Sequence, residues 1–208
     1  TDGRVNRHVA LFSDITEKKR MDALIWTQAN YDPLTNLPNR RLFLDRLEQG
    51  IRLAVRGNAA LALLFIDLDH FKEVNDTLGH QRGDELLVEA ARRIRICVRD
   101  SDTVARLGGD EFTVILGEVD DLGSVANIAQ KILTALDQPY QLGKEQAFVS
   151  GSVGIAFYPH DASDAADLLK KADHAMLAAK QQGRNRFSYF TDEMLEAVQE
   201  RMRLMSDL

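Results

Sequence analysis

The chain has 208 residues, of which 45% are hydrophobic and 28% are charged, and its formal net charge is −6. These values suit a soluble protein with one sizeable core and argue against a strongly basic nucleic-acid-binding surface. The single cysteine, Cys97, excludes an internal disulfide, and no apolar run is long enough to span a membrane. Because the chain begins with Thr1 and shows no signal peptide, we expect a cytoplasmic piece of a longer protein.

The first part of the chain predicts a short strand, a helix and a turn. Residues 9–12 have the pattern of a strand, and a capped start at Asp14 or Thr16 predicts a helix to about Gln28. Residues 32–40 are rich in turn formers, and Asn39 is a suitable helix cap. Apolar residues then recur at helical spacing: Leu42, Leu44, Leu47, Ile51, Leu53 and Ala54.

An unbroken apolar run at residues 61–66 predicts a strand that is buried on both faces. The run ends in Asp67-Leu68-Asp69, and acidic groups in that position lie at the rim of a sheet, where ligands commonly bind. Residues 85–98 predict an amphipathic helix. Residues 104–116 predict a β-hairpin, because the glycine pair at 108–109 permits the positive φ angles of a tight turn.

The rest of the chain alternates between helices and strands. Residues 125–136 and 168–179 predict helices, residues 147–157 a long strand, and residues 186–190 a last strand. The order contains β-α-β-β-α-β, which predicts an α+β, ferredoxin-like fold. In that order both strands of the hairpin can lie beside the strand at 61–66.

Two acidic clusters are the first candidates for chemistry: Asp67 with Asp69, and Asp110 with Glu111. Strand order can bring them to one rim of the sheet. Carboxylate oxygens are hard ligands that suit Mg²⁺, which keeps some of its waters and also takes phosphate oxygens. The ordinary alternative is that solvated hairpin tips are often acidic, so convergence of the two clusters is the test.

Several other polar residues have both a functional and an ordinary interpretation. Gly108 and Gly109 either form a turn or leave room for a bulky ligand. Asn75 and Asp84 suit the hydrogen-bonding edge of guanine, but a turn residue and a helix cap have the same residue types. The cations that suit phosphate, and that are otherwise surface charges, are Lys72, Lys180 and Arg184.

Together these segments resemble the GGDEF family of diguanylate cyclases. The namesake motif is intact at residues 108–112 and follows Ala105-Arg106-Leu107. The other matching segments are Asp32-Pro33-Leu34-Thr35 with Asn39-Arg40, residues 65–72 with Asn75-Asp76, Gly79-His80 with Gly83-Asp84, residues 171–180, and Gly183-Arg184-Asn185. The similarity covers about residues 30–190, and several motifs in order are more specific than a lone five-residue match.

The resemblance implies a metal site and a proton acceptor. Mg²⁺, with Mn²⁺ as an alternative, would be held by the Asp67 and Asp110 carboxylates and the Leu68 carbonyl. Asp110 would also accept the proton of a 3′-hydroxyl, with Glu111 as its supporting acid. In such an enzyme the 3′-oxygen of one GTP attacks the α-phosphorus of another, and pyrophosphate leaves.

The resemblance also implies a set of substrate contacts. Asn75 and Asp84 would recognise guanine, while Gly108 and Gly109 would give the nucleotide room. The remaining residues that would bind GTP are His70, Phe71, Lys72, His80, Lys180 and Arg184. Each domain would hold one GTP, so a homodimer would be needed to make cyclic di-GMP.

Arg99 and Asp102 match the position of the family's product-inhibition motif, which binds cyclic di-GMP. An arginine at a helix end followed by acidic residues is also common by chance. Three further functions stay open. Two are a catalytically silent GTP-binding domain that regulates an attached phosphodiesterase and a cyclic di-GMP receptor. The third, open from the fold alone, is a related polymerase-like or adenylyl cyclase-like enzyme.

The two ends of the chain resemble parts of neighbouring domains. Residues 8–19 are similar to the end of a PAS sensor domain, and residues 189–204 are similar to the lead-in of an EAL phosphodiesterase domain. We therefore expect three parts, at residues 1–28, 29–190 and 191–208, from a PAS–GGDEF–EAL protein. The alternative is that each end is an amphipathic helix that extends the central domain.

Overall fold

The computed structural model of the chain describes residues 15–119 and 121–190. The strand predicted at residues 9–12, most of the PAS-like segment and nearly all of the EAL-like segment lie outside these residues. No helix in the described part of the chain has the length and apolarity to cross a membrane.

The described helices are α1 (Thr16–Asn30), α2 (Arg40–Gly57), α3 (Phe71–Leu78), α4 (His80–Arg95), α5 (Leu122–Leu136) and α6 (Ala165–Gln181). The described strands are β1 (Ala60–Leu68), β2 (Thr103–Gly108), β3 (Glu111–Val119), β4 (Tyr140–Leu142), β5 (Glu145–Ala147), β6 (Gly151–Tyr158) and β7 (Arg186–Tyr189). The predicted cap of α2 is confirmed, because the Asn39 side chain accepts hydrogen bonds from the amides of Arg41 and Leu42.

The central sheet has the strand order β2-β3-β1-β6-β7, with β4 and β5 forming a separate hairpin. β1 pairs antiparallel with β3 on one side and with β6 on the other, and β7 adds a parallel strand at the edge. The predicted α+β, ferredoxin-like fold is confirmed. One detail of the prediction is wrong: only β3 lies beside β1, because the other edge of β1 is taken by β6.

Helices cover both faces of the sheet, so β1 is buried on both sides as its apolar run predicts. Its even-numbered residues from 62 to 68 pack with α4 and α5, while Leu61, Leu63 and Phe65 pack with α2 and α6. Because side chains alternate between the faces of a strand, Asp67 belongs to the α2–α6 face.

The long strand predicted at residues 147–157 is wrong, since it is divided into β5 and β6. The break at residues 148–150 separates the residues that pair with β1 from those that pair with β4. The amide of Asp69 donates to the Ser150 carbonyl at 2.9 Å, and the Ser150 hydroxyl donates to the Asp69 carboxylate at 2.7 Å. Ala147 pairs instead with Tyr140 in the small hairpin.

The region after β1 is more helical than the sequence pattern indicates. The short helix α3 has no counterpart among the predicted elements, and α4 begins at His80 rather than at residue 85. Gly79, at φ 83°, separates the two helices. Asn75 is therefore within a helix rather than a turn, and Asp84 is inside α4 rather than at its cap.

Candidate active site

The two acidic clusters meet at one rim of the sheet. Asp67, near the end of β1, is paired in register with Glu111, the first residue of β3. The Leu68 amide donates a 3.3 Å hydrogen bond to the carbonyl of Asp110, so the glycine turn lies directly beside the end of β1. The convergence on which the metal hypothesis depends is present.

Asp67 has the environment of a carboxylate that attracts cations. Its Oδ1 lies 2.7 Å from Lys180 Nζ at the end of α6. Burial raises the pKa of Asp67 to about 6, and the nearby charge of Asp110 also raises it, although Lys180 acts in the opposite direction. The positive charge of one lysine therefore does not fully offset the cost of keeping this carboxylate ionised.

This donor set fits a metal ion that takes only a few ligands from protein. Asp67 and Asp110 would supply two carboxylates, and the Leu68 carbonyl, from the residue next to Asp67, would be the third ligand. Across residues 15–119 and 121–190, no three His, Cys, Asp or Glu side chains form a group that holds a metal by itself. Such a site suits Mg²⁺, which keeps several waters and completes its shell with substrate phosphates.

Glu111 lies between the acidic rim and two helices. Burial raises its pKa, and the charges of Asp110 and Asp173 add to the effect, while Arg40 and Lys180 oppose it. A raised pKa favours the protonated form of the carboxyl group at a given pH. The environment of Glu111 is therefore consistent with a supporting acid.

Asp69, only two residues from Asp67, has a structural environment that the sequence pattern did not reveal. It is 2% exposed, and its oxygens accept hydrogen bonds from the hydroxyls of Ser150 and Ser152, both at 2.7 Å. It also accepts a 3.2 Å bond from the Asn185 amide. Asp69 thus joins the end of β1 to the start of β6 and to the loop after α6.

The turn at Gly108 and Gly109 has positive φ angles and is held by hydrogen bonds from an arginine. Gly108 and Gly109 have φ angles of 151° and 51°, and a Cβ on either would meet no atom within 4 Å. Arg106 donates to the Gly109 carbonyl at 2.9 and 2.7 Å and forms an ion pair with Asp32 at 3.0 Å. Sequence reasoning did not assign Arg106 this role, although the residue stands in the matched motif.

The first turn of α3 lies next to the same rim. His70, at φ 61°, precedes the helix, and its ring Nδ1 is 2.7 Å from Glu73 Oε1. The side chain of Phe71 is buried, so the group that it can offer a ligand is its amide, and helix N-termini attract anions. Lys72 and His80 are exposed, and the described part of the chain provides neither with a side-chain partner.

The end of α6 and the loop behind it place two cations at the rim. Lys180 contacts Asp67, as described above. Arg184 is half exposed at φ 60°, with its Nε 3.9 Å from Asp69 Oδ1. Two of the three predicted phosphate cations, Lys180 and Arg184, therefore lie beside the acidic rim, and the third, Lys72, is on α3.

Asn75 and Asp84 lie on adjacent helices, α3 and α4. Asn75 is half buried and Asp84 is exposed. Asp84 lines an open groove of about 710 Å³ together with Leu34, Gln81, Glu85 and Gln141. Asn75 is not among the residues that line this groove, so the groove alone does not join the two predicted guanine contacts.

Arg99 and Asp102 lie away from the acidic rim, at a second candidate site. The Asp102 carboxylate accepts a 2.9 Å hydrogen bond from the Arg99 amide. Both residues line a cavity of about 250 Å³ beside the end of β3 and the start of α5. The catalytic candidates lie at the opposite end of β3, roughly 20 Å away at 3.3 Å per residue.

The family model described as "Diguanylate cyclase, GGDEF domain" matches residues 29–186. The chain belongs to this family. It is 48% identical over 180 residues to the bifunctional diguanylate cyclase/cyclic di-GMP phosphodiesterase MucR of Pseudomonas aeruginosa, covering 86% of this chain and 26% of MucR. It is 47% identical over 158 residues to the diguanylate cyclase TpbB of the same species, covering 76% of this chain and 36% of TpbB. This GGDEF chain thus spans about a quarter to a third of these relatives.

Solved structures of GGDEF domains share the fold. The crystal structure of the TpbB GGDEF domain matches with a TM-score of 0.73 and 45% identity, covering 74% of this chain and 97% of that one. The coiled coil and GGDEF domain of DgcB from Caulobacter crescentus, solved with c-di-GMP, matches with a TM-score of 0.78 and 28% identity, covering 85% and 93%.

Proposed function

We propose that this GGDEF domain is an active diguanylate cyclase that condenses two GTP molecules into cyclic di-GMP and two pyrophosphates. The observation that carries the proposal is the meeting of Asp67, Asp110 and Lys180 at one rim of the sheet. The rim offers carboxylates for a divalent ion, a lysine for phosphate and a turn with open space above it. We take the reaction at this rim from the diguanylate cyclase family, to which the chain belongs.

Each residue at the rim has a distinct task in this proposal. Asp67, Asp110 and the Leu68 carbonyl would hold Mg²⁺ or Mn²⁺, which would screen phosphate charge and make the attacking oxyanion easier to form. Asp110 accepts the proton of the 3′-hydroxyl, and Glu111 supports it. The groups that bind the phosphates are Lys72, Lys180, Arg184 and the amides near His70 and Phe71.

Two copies of the domain, each with one GTP, complete the reaction when their rims face each other. The 3′-oxygen of each GTP then attacks the α-phosphorus of the other, and positioning supplies much of the catalysis. GTP is a cytoplasmic metabolite, so we place the activity in the cytoplasm.

The need for two copies gives a direct test. Pyrophosphate release from GTP and Mg²⁺ should rise with the square of the protein concentration at low concentration, because the dimer is the active species. The Asp110→Ala variant serves as the negative control at each concentration. A rate that is proportional to concentration in a range where light scattering shows only monomer would contradict catalysis between copies.

The second candidate function is a GTP-binding domain that regulates an attached phosphodiesterase. It is favoured by relatives such as the cyclic di-GMP phosphodiesterase PdeR of Escherichia coli, which is 38% identical over 94% of this chain. Here the parent would be a PAS–GGDEF–EAL protein. Tight GTP binding without pyrophosphate release, and a phosphodiesterase rate of the parent that increases with GTP, would favour this function over the first.

We also propose that Arg99 and Asp102 bind cyclic di-GMP in the cavity at the far end of β3. Replacement of Arg99 by Ala should weaken binding of the dinucleotide by about 10-fold or more, because a charge-assisted contact to phosphate or guanine is lost. Calorimetric titration measures the change. Arg92→Ala, an exposed arginine on α4, is the matched control, and equal affinities of the two variants would remove this site.

A further inference from the structure

Gly83 is a glycine in the interior of α4, where alanine would favour the helix. The residue is buried and faces α3. A Cβ at this position would overlap the Oδ1 atom of Asn75 and would lie 3.0 Å from Asn75 Cγ and 3.3 Å from Phe71 Cζ. Because Gly83 has no side chain, the Asn75 amide can occupy the space where a Cβ would lie.

Asn75 and Phe71 are one turn apart on α3 and form the face that meets α4. The Phe71 ring edge can shift by a few tenths of an ångström to accept a methyl group. The Asn75 amide cannot, because an atom already occupies the position of the new Cβ, and the side chain would have to leave for another rotamer. The two contacts thus differ in kind, because only the contact with Asn75 forces a side chain into another rotamer.

The residue that follows Gly83 is Asp84, which is exposed at the groove beside α4. Packing of Asn75 against Gly83 places the amide close to the backbone that carries the Asp84 carboxylate. An amide and a carboxylate on two packed helices can together present a carbonyl, an N–H₂ group and an acceptor pair to one flat ligand edge. Any movement of Asn75 would separate these groups.

We propose that Gly83 is a specificity-determining positioning residue, which fixes the Asn75 amide beside Asp84 so that the pair recognises guanine. This inference rests on the proposed function, since it takes GTP as the ligand. A site built to hydrogen-bond one base rejects another when its polar groups are left unpaired. Gly83→Ala should therefore reduce the preference for GTP over ATP while the phosphate contacts remain.

The test is a double-mutant cycle on the full chain, with binding of GTP and of ATP measured by calorimetry in the presence of Mg²⁺. Gly83→Ala should weaken GTP binding about 10-fold and leave ATP binding within about twofold. In the Asn75→Ala background, the same Gly83→Ala change should alter GTP binding by less than about twofold, because the colliding atoms are gone. Gly57→Ala, a helical glycine whose Cβ meets only Ala59 Cβ at 4.0 Å, is the matched control.

Thermal unfolding of the same four proteins keeps the proposal falsifiable when Gly83→Ala folds poorly. The effect of Gly83→Ala on the unfolding temperature should be more favourable in the Asn75→Ala background, and an equal effect in both backgrounds overturns the proposal. Gly83→Ala with the GTP preference of the unmodified chain also overturns it. An unmodified chain that binds GTP no better than ATP contradicts the proposed function itself, so the two failures are distinguishable.

Discussion

Replacement of Asp67 by Asn is expected to lower GTP turnover by at least about 100-fold, while the protein remains folded. The variant keeps the shape of the side chain and removes the charge that would hold the divalent ion. Because burial raises the pKa of Asp67 to about 6, ionisation of this carboxylate destabilises the native state as the pH rises from about 4 to 6. At pH 7 without metal, the neutral variant should therefore unfold at an equal or higher temperature.

Pyrophosphate release and thermal unfolding, measured on the same preparation, check both halves of this result. Asp45→Asn is the matched control, since Asp45 is an exposed aspartate on α2 without a side-chain partner in the described part of the chain. A turnover rate for Asp67→Asn within tenfold of the control would remove Asp67 from the metal site. A large drop in unfolding temperature would show that the carboxylate stabilises the fold instead.

Replacement of Asp69 by Ala, unlike that of Asp67, should destabilise the protein and lower the free energy of unfolding by about 3 kcal/mol. The change removes a buried acceptor and leaves the hydroxyls of Ser150 and Ser152 and the amide of Asn185 without their partner. The end of β1, the start of β6 and the loop after α6 would then lose their common attachment. Urea denaturation of the variant measures the loss.

Asp76→Ala provides the comparison for Asp69, because Asp76 is an exposed aspartate of α3. Its replacement should change the free energy of unfolding by less than about 0.5 kcal/mol. If Asp69→Ala were no less stable than this control, the three hydrogen bonds would have no net stabilising value. Asp67 and Asp69 are only two residues apart, yet we expect replacement of Asp67 to reduce turnover and replacement of Asp69 to reduce stability.

The meeting of the two acidic clusters could be predicted from the sequence because local patterns determine it. An apolar run followed by acids, and a glycine-containing hairpin, are both recognisable, and the β-α-β-β-α-β order places one hairpin strand beside the first strand. The difference between Asp67 and Asp69 could not be predicted in this way. It depends on Ser150, Ser152 and Asn185, which are 81 to 116 residues away along the chain.

The region of α3 and α4 shows a second limit of sequence reasoning. α3 has only eight residues, which is about two turns and too few for a clear helical period. A turn residue and a helix cap are the ordinary alternatives for Asn75 and Asp84, and both alternatives are wrong because the two residues lie inside helices. The packing of α3 against α4 at Gly83 is a tertiary contact, so it can be recognised only from the three-dimensional structure.

The length of β3 has a consequence for control of the reaction. The acidic rim and the Arg99 cavity are at opposite ends of one strand that is hydrogen-bonded on both sides. A dinucleotide held in the cavity is too distant to obstruct the nucleotide sterically. Feedback from such a ligand would have to act on how two protomers approach each other, for example by tethering them with their rims apart.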